Sequence, residues 1–350
     1  MNGRNTSLDV LRALAALEVI GYHLEIPFFK PLAALGVDLF FVLSGFLISA
    51  SLFSDYRKYR TIRLGRFWVR RAFKILPPVY VFMLVMFVFL RGVTPVTSLI
   101  HAALFSANFL SATGVLTHMW SLSLEEQFYV FLPLLLIVLI RFDKSLSSLP
   151  WVFLAIAVLC FAFRVADPGG YTQFHLRIDN LFTGVILRYA VDFRPNWFQL
   201  VARYSLIPAM LFWLPAVLLL MFTSNLAHSL MYTGIDVGCG CLVAWCDAHD
   251  TQKFWSWAPF KFLASIGVYS YSIYLWQQPI AAIAANKFRP LTAGILGFPV
   301  SILLGILMFK LIEQPSIRFR DKLTSARDQA VHSKPAESSS PSPRPLGEDV

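Results

Sequence analysis

The first apolar stretch of the chain carries ionisable side chains suited to proton transfer. Arg12 and His23 are separated by eleven positions, which on an α-helix is about three turns and roughly 16 Å of rise, so both lie on nearly the same face. A histidine beside a carboxylate can draw a proton from a hydroxyl group. In a membrane-spanning helix, Arg12 could instead reach the inner lipid headgroups and His23 lie in the outer interface. These two residues alone leave both interpretations open.

Further polar residues stand near the ends of later apolar stretches. We expect Asp38, Glu125 or both to lie beside His23, where a carboxylate would orient the imidazole or stabilise its cation. The other polar positions that could face this region are Ser44, Ser121, Ser123, Glu126, Arg177 and Asp179. Structural roles are the alternative, because acidic residues stabilise helix N-termini and helix serines usually bond their own backbone. The pattern predicts a histidine, carboxylates and an arginine at similar depth.

A cationic stripe precedes the third apolar stretch and consists of Arg63, Arg66, Arg70, Arg71 and Lys74. Four of the five follow the spacing i, i+3, i+7 and i+11, which places their charges on one face of a helix. Pro77 and Pro78 come next and are expected to break or kink that helix. The stripe is either a cytoplasmic anchor for anionic lipid or a polyphosphate site, because arginine forks match phosphate oxygens.

Membrane helices must position these residues, because the composition excludes an ordinary soluble domain. Of 350 residues, 57% are hydrophobic and 14% are charged, against roughly a quarter charged in soluble domains. The net charge of +10 does not indicate nucleic-acid binding, since the basic residues cluster between apolar stretches as they do in cytoplasmic loops. The four cysteines lie in or beside apolar stretches without a CxxC pair, so no metal site is expected.

The apolar stretches predict an all-α, polytopic membrane helix bundle with about ten transmembrane helices. The predicted spans are 8–26, 35–53, 73–91, 123–141, 150–166, 174–191, 204–222, 228–246, 263–285 and 292–313. Residues 97–112 are expected in an outer loop. The distribution of Lys and Arg between the spans predicts that both termini are cytoplasmic. Residues 1–322 would form the membrane domain, and residues 323–350 a disordered cytoplasmic tail.

The segments that contain these residues resemble the acyltransferase-3 family of integral membrane acyltransferases, which modify bacterial cell-surface glycans. The resemblance covers residues 6–320 and rests on LDVLRALAALEVIGYH, GVDLFFVLSGFLIS, FWVRRAFKILPPVY, HMWSLSLEEQFYVFLPLL, RIDNLFTG, YSYSIYLWQQP and IEQP. Each segment is a weak signal by itself. Their number and order make the resemblance specific.

The resemblance implies roles for several positions. Arg12 and His23 match the family's arginine–histidine pair, and Glu125 matches the more constant glutamate of its WSL-containing motif. The cationic stripe, together with Arg12, would hold acyl-CoA. Lys74 departs from the family's arginine and keeps only the charge, and Gln277 replaces the family's histidine. Because that histidine is absent, His23 is the better candidate for the base or for a covalent acyl carrier.

The implied activity is transfer of an acyl group, expected to be acetyl, from cytoplasmic acyl-CoA to a hydroxyl at the outer face of a bacterial inner membrane. The acceptor would be a glycan or lipid-linked glycan, such as an exopolysaccharide or lipopolysaccharide. Acetyl-CoA is then a donor substrate, and no permanently bound cofactor or metal is expected. The expected partners are acyl-CoA, the glycan acceptor, membrane lipid and a separate periplasmic protein, with no nucleic acid.

Three other functions remain as alternatives. A glycan or lipid transporter or flippase would also carry charged residues inside a helix bundle. A structural or regulatory membrane subunit would need no chemistry at these positions. A membrane acyltransferase of the class that uses an Asn/His pair is disfavoured, because His23 is the only histidine expected deep in the membrane near a suitable motif.

Overall fold

The computed structural model of the chain describes residues 5–32, 35–89, 95–110, 114–167, 172–219 and 224–332. Within these residues every regular element is helical and no strand occurs, which confirms the predicted all-α class. The α-helices are α1 (Thr6–His23), α2 (Leu35–Tyr59), α3 (Leu64–Phe89), α4 (Val96–Ala103), α5 (Met119–Phe142), α6 (Leu149–Ala166), α7 (Phe174–Phe193), α8 (Pro195–Ala202), α9 (Leu206–Leu219), α10 (Asn225–Ala248), α11 (Ala258–Val268), α12 (Ser270–Lys287), α13 (Pro290–Met308) and α14 (Gln314–His332). A π-helical turn, Phe309–Glu313, joins α13 to α14.

Each predicted span overlaps a helix, and the chain is a multi-pass membrane protein. Six helical segments in the described part are long and apolar enough to cross a membrane: Leu35–Tyr59, Leu64–Phe89, Gly114–Phe142, Leu149–Ala166, Asn225–Ala248 and Pro290–Thr324. The count of ten spans therefore stays a prediction. The span predicted at 263–285 is divided between α11 and α12 at Tyr269. The stretch 97–112 contains most of α4, which with 8 residues is too short to span.

Helix α1 is more polar than a lipid-facing span because other helices enclose it. It packs chiefly against α2, α11 and α12, and Asp9 and Glu18 are each only 6% exposed. Charged side chains at membrane depth are tolerated where they face protein or a water-filled cavity instead of lipid. The polar residues of α1 are thus positioned to act inside the bundle.

Helices α2 and α7 approach each other closely through two glycines. A Cβ atom added to Gly45 would overlap the backbone oxygen of Leu181, and one added to Gly184 would overlap that of Val42. Small residues at such crossings allow the backbones of membrane helices to come together and gain dispersion energy. This contact sets the position of α2, which carries both Asp38 and Ser44.

Prolines inside two helices release carbonyl groups that join α3 to its neighbours. Pro77 has no N–H to bond the Phe73 carbonyl four residues earlier, and that carbonyl accepts a hydrogen bond from Ser316 Oγ of α14 at 2.5 Å. In α5, Pro133 frees the carbonyl of Tyr129, which accepts from the Trp68 indole of α3 at 3.1 Å.

Helix α3 itself continues through both of its prolines to Phe89. Of the predicted break or kink at Pro77 and Pro78, the break is therefore wrong, because the i−4 carbonyl left by Pro77 finds a donor on another helix. The kink stays a prediction.

The predicted boundary between the membrane domain and the tail falls inside α14. This helix continues from Gln314 to His332, and residues 333–350 lie outside the described residues. The disordered tail therefore stays a prediction.

Candidate active site

The cationic stripe lines one cavity at the end of the bundle where α2 ends and α3 begins. This cavity has a volume of about 480 Å³. Its charged lining residues are the cations Lys58, Arg63, Arg66, Arg70, Arg71, Lys74 and Arg320 and the carboxylate Asp55. Arg320 comes from α14 and donates a hydrogen bond to the Arg70 carbonyl at 3.3 Å. Because the cations far outnumber the carboxylate, the cavity is suited to a multiply charged anion.

Within this basic cavity, Arg63 is anchored and other arginines remain exposed. Arg63 pairs with Asp55 at 2.9 Å and lies over the ring of Tyr59 at 3.8 Å. The hydrogen bonds that Arg63 donates to the Asp55 carboxylate raise the pKa of Arg63 above its ordinary value. The side chains of Arg66 and Arg70 are exposed, and Arg70 has Arg320, Arg66 and Arg71 as electrostatic neighbours. Like charges this close repel one another, so binding an anion between them would relieve the repulsion.

A second, central cavity of about 100 Å³ lies deeper in the bundle. Arg71 and Lys74 line both the basic and the central cavity, so the two adjoin along α3. Arg12 of α1 also lines the central cavity, and its guanidinium lies 3.7 Å from Asp9. The predicted acyl-CoA residues are thus brought together along one route into the bundle.

Glu125 faces this central cavity and accepts two hydrogen bonds from hydroxyl groups. The donors are Ser44 Oγ at 2.7 Å and Tyr129 Oη at 2.6 Å. Arg71 and Lys74 interact with the same carboxylate electrostatically. The structure therefore brings Glu125 together with the cations of the cavity and does not bring it to the imidazole of His23.

The remaining predicted polar residues of α5 divide between the cavity and the backbone. Ser121 lines the central cavity and lies 2.5 Å from Tyr274 Oη. Ser123 is fully buried, donates to the Met119 carbonyl at 2.8 Å and accepts from the Ala107 N–H, so its bonds are structural. Glu126 has its Oε1 buried without a hydrogen-bond partner among the described residues.

His23 ends α1 and lines a third cavity of about 500 Å³. This outer cavity is also lined by Tyr22, Glu25, Lys30, Gln278 and Asn286. The side chain of Gln277 lies beside the His23 ring. Within the described chain, His23 Nδ1 is buried without a well-formed hydrogen bond. His23 is thus accessible from the cavity opposite to the basic one.

A thin layer of polar side chains separates the central cavity from the outer cavity. Tyr274 lines the central cavity, Gln277 lies one turn later on α12 beside His23, and Gln278 lines the outer cavity. His118 completes the layer, with its ring centroid 5.5 Å from that of Tyr274. We call the layer formed by His23, His118, Tyr274 and Gln277 the polar partition.

His118 is a site residue that the sequence analysis did not single out. It is 2% exposed and interacts electrostatically with His23. His23 is therefore not the only buried histidine near a motif. The prediction that disfavoured an acyltransferase with an Asn/His pair on that ground is wrong. The only signal in the sequence was its place at the start of HMWSLSLEEQFY. Its burial depends on Phe82 of α3 and Tyr274 of α12, which local sequence does not reveal.

The other predicted polar residues lie in a separate buried cluster between α2, α6, α7 and α10. The Arg177 guanidinium donates to Asp38 across the α2–α7 contact, and Arg164 pairs with Asp179 at 2.8 Å. Asp38 thus uses one carboxylate oxygen to pair with Arg177, and its expected role beside His23 stays a prediction. The predicted single convergence of charges is instead divided between this cluster and the cavities.

Among the described residues no group of three or more His, Cys, Asp or Glu side chains could hold a metal ion.

Comparison with known proteins gives one family and several relatives. The family model described as an acyltransferase domain (Acyl_transf_3) matches residues 5–310. The chain is similar to peptidoglycan O-acetyltransferase OatA of Listeria monocytogenes, with 28% identity over 345 residues that cover 88% of this chain and 55% of the relative. It is 28% identical over 342 residues to a putative O-acetyltransferase of Staphylococcus aureus strain COL, covering 88% and 56%.

A third relative is the putative peptidoglycan O-acetyltransferase YrhL of Bacillus subtilis, with 30% identity over 314 residues that cover 79% of this chain and 48% of the relative. The chain therefore spans about half the length of the curated relatives it matches. No solved structure matches the chain.

Proposed function

The chain belongs to the acyltransferase family whose model matches residues 5–310, and from that premise we propose that it transfers an acyl group across a bacterial inner membrane. The donor would be cytoplasmic acyl-CoA, with acetyl as the acyl group, and the acceptor a hydroxyl of a glycan at the outer face. One observation carries this proposal. The basic cavity joins the central cavity through Arg71 and Lys74, and His23 lies in the polar partition and faces the outer cavity.

The basic cavity supports acyl-CoA as the donor. Coenzyme A carries a pyrophosphate and a further phosphate, and arginines bind phosphate oxygens through charge-assisted hydrogen bonds. Arg66 and Arg70 are exposed at the cavity and would take the phosphates. The extended pantetheine arm would then pass Arg71 and Lys74 into the central cavity and bring the thioester towards Arg12 and Glu125.

His23 is proposed to act on the acceptor that enters the outer cavity. As general base it would take the hydroxyl proton while the oxygen attacks the thioester carbon, so that a C–O bond forms and the C–S bond breaks. Alternatively, His23 would itself carry the acyl group before passing it to the acceptor. In either case the polar partition must open to admit the thioester. Glu125, held by Ser44 and Tyr129, would balance the positive charge of Arg12, Arg71 and Lys74 while the thioester reacts.

Peptidoglycan is the first acceptor to test, because the names of two relatives specify it. Lipid-linked glycans, exopolysaccharide and lipopolysaccharide are further candidates with the same hydroxyl chemistry. We also propose that a separate protein at the outer face helps to deliver the acyl group to the final acceptor.

The proposed orientation has ten spans and cytoplasmic termini. It puts the basic cavity on the side of the acyl-CoA pool and follows the Lys and Arg distribution. Single-cysteine labelling with a membrane-impermeant reagent tests it: a cysteine at Glu25 should be labelled in spheroplasts and one at Arg66 should not. The reverse pattern would refute the orientation.

Acetyl-CoA labelled in its acetyl group tests the activity in membranes containing wild-type or His23→Ala protein. We expect label in the extracted glycan with wild-type protein and its loss in His23→Ala. His175→Ala is the matched control, because His175 is an exposed histidine at the start of α7, and it should transfer normally. Label on the protein alone would favour the covalent route. Equal transfer by wild-type and His23→Ala protein would refute the role of His23, and glycan movement without acetyl-CoA would favour a transporter.

A further inference from the structure

His118 occupies a position in the polar partition that the proposed reaction has not yet used. The residue immediately precedes α5, and its ring contacts Phe82 of α3 at 5.7 Å and Tyr274 of α12 at 5.5 Å between centroids. It is 2% exposed. Its backbone carbonyl accepts hydrogen bonds from Ser121 Oγ and Tyr274 Oη, each at 3.1 Å. These contacts hold the ring in place from three helices.

Both ring nitrogens of His118 lack a well-aligned hydrogen bond within the described residues. The carbonyl groups of Leu275 and Val115 approach the ring without such a bond. Buried polar atoms are nearly always paired, and an unpaired one costs free energy. A phenylalanine would fill the same space without that cost. The imidazole is therefore better explained by a function than by packing.

His118 lines neither the central nor the outer cavity but contacts residues that line the central one. Ser121 and Tyr274, which hold its backbone, line the central cavity. His23, with which it interacts electrostatically, lines the outer cavity. Within the described residues, the titratable or charged groups that face His118 are His23 from α1 and Tyr274 from α12, while α3 contributes the apolar Phe82 ring.

We propose that His118 is a further catalytic residue, which relays the proton of the acceptor hydroxyl from His23 to the leaving sulfur. The inference rests on the proposed function. As the acceptor oxygen bonds to the thioester carbon and the C–S bond breaks, the hydroxyl proton passes to His23. With the partition open for the thioester, the His23 imidazolium gives a proton to one nitrogen of neutral His118. The other nitrogen of His118 gives a proton to the thiolate, which then leaves through the central cavity. The products are the ester and the free thiol of CoA, and both histidines end neutral.

The test compares the steady-state kinetics of wild-type, His118→Gln and Phe82→Leu proteins in proteoliposomes. His118→Gln keeps hydrogen-bonding groups but cannot relay a proton. We expect kcat to fall about 100-fold, at the low end for a positioned acid–base group, with the KM for acetyl-CoA unchanged. Phe82→Leu alters the packing around the same ring and should leave kcat within about threefold of wild type. His118→Asn replaces the glutamine variant if that protein does not fold, as judged by gel filtration and thermal unfolding.

The outcomes separate this inference from the proposed function. A His118→Gln protein with kcat within twofold of wild type would overturn the relay while leaving transfer by His23 intact. A loss of kcat in Phe82→Leu equal to that in His118→Gln would also overturn it, because packing would then explain both. Absence of His23-dependent transfer in the wild-type protein would refute the proposed function and the relay together.

Discussion

Breaking the buried ion pair between Asp38 and Arg177 would show whether Asp38 serves folding or chemistry. Asp38 is 0% exposed and Arg177 is 1% exposed, and the pair joins α2 to α7. The Arg177 guanidinium also lies 4.3 Å from the centre of the Tyr232 ring. Removing one member of such a pair leaves the other charge buried without compensation.

The expected losses of stability differ between the two ends of the pair. Arg177→Met leaves the Asp38 carboxylate buried and unpaired, which should cost about 3–5 kcal/mol. Asp38→Asn should cost less, about 1–3 kcal/mol, because the amide oxygen still accepts from Arg177 and the Tyr232 ring still faces the cation. In the double variant no charge is left, so we expect at least about 2 kcal/mol of favourable coupling between the two substitutions.

Thermal unfolding in detergent measures these effects. One kcal/mol moves the midpoint by roughly 2 °C in a chain of this length, so Arg177→Met should unfold about 6–10 °C below wild type. The double variant should recover part of that loss and should retain acyl transfer. Wild-type stability in Arg177→Met, or a double variant no more stable than Arg177→Met, would refute the reasoning. A double variant that is stable but does not transfer the acyl group would indicate that Asp38 takes part in catalysis.

Three further predictions concern the cavities and the helix packing. Arg66→Ala should raise the KM for acetyl-CoA about tenfold, because it removes a charge-assisted contact to phosphate. Arg203 is also exposed but lies outside the basic cavity, so Arg203→Ala should leave the KM unchanged. Equal effects of the two substitutions would refute a phosphate site. Glu125→Gln should lower kcat at least about tenfold with a normal KM, and wild-type kcat would exclude a need for its charge. Gly184→Ala should destabilise the protein by about 1–3 kcal/mol in thermal unfolding, because the added methyl group overlaps the α2 backbone. The control Gly65→Ala has open space around the added methyl group and should be neutral or slightly stabilising.

Local features were readable from the sequence because they depend on neighbours a turn or two away. The spacing of Arg63, Arg66 and Arg70 predicted one cationic face, and the three line one cavity. Apolar stretches likewise predicted where helices lie. The interruption at Tyr269 was missed, since residues 263–278 contain no proline or charged residue that would mark the point where α11 gives way to α12.

The partners of buried polar groups were less accessible to sequence reasoning. Placing polar residues near the same membrane depth was not enough to pair them, because each helix can turn its polar face to any of several neighbours. Asp38 therefore bonds Arg177, 139 positions away, and Glu125 bonds Ser44, 81 positions away. The residue that completes the polar partition, His118, was overlooked for the same reason.

Composition and 3.6-residue periodicity are enough to identify a multi-pass helical membrane protein and the helix faces that carry charge. Which of those faces meet depends on the tertiary structure. Apolar helices in lipid resemble one another, so hydrophobicity does not specify neighbours. Close packing at small residues such as Gly45 and Gly184, and the cost of leaving a buried charge unpaired, select the arrangement. Both depend on the whole bundle, which is why the division into a basic, a central and an outer cavity emerges only in three dimensions.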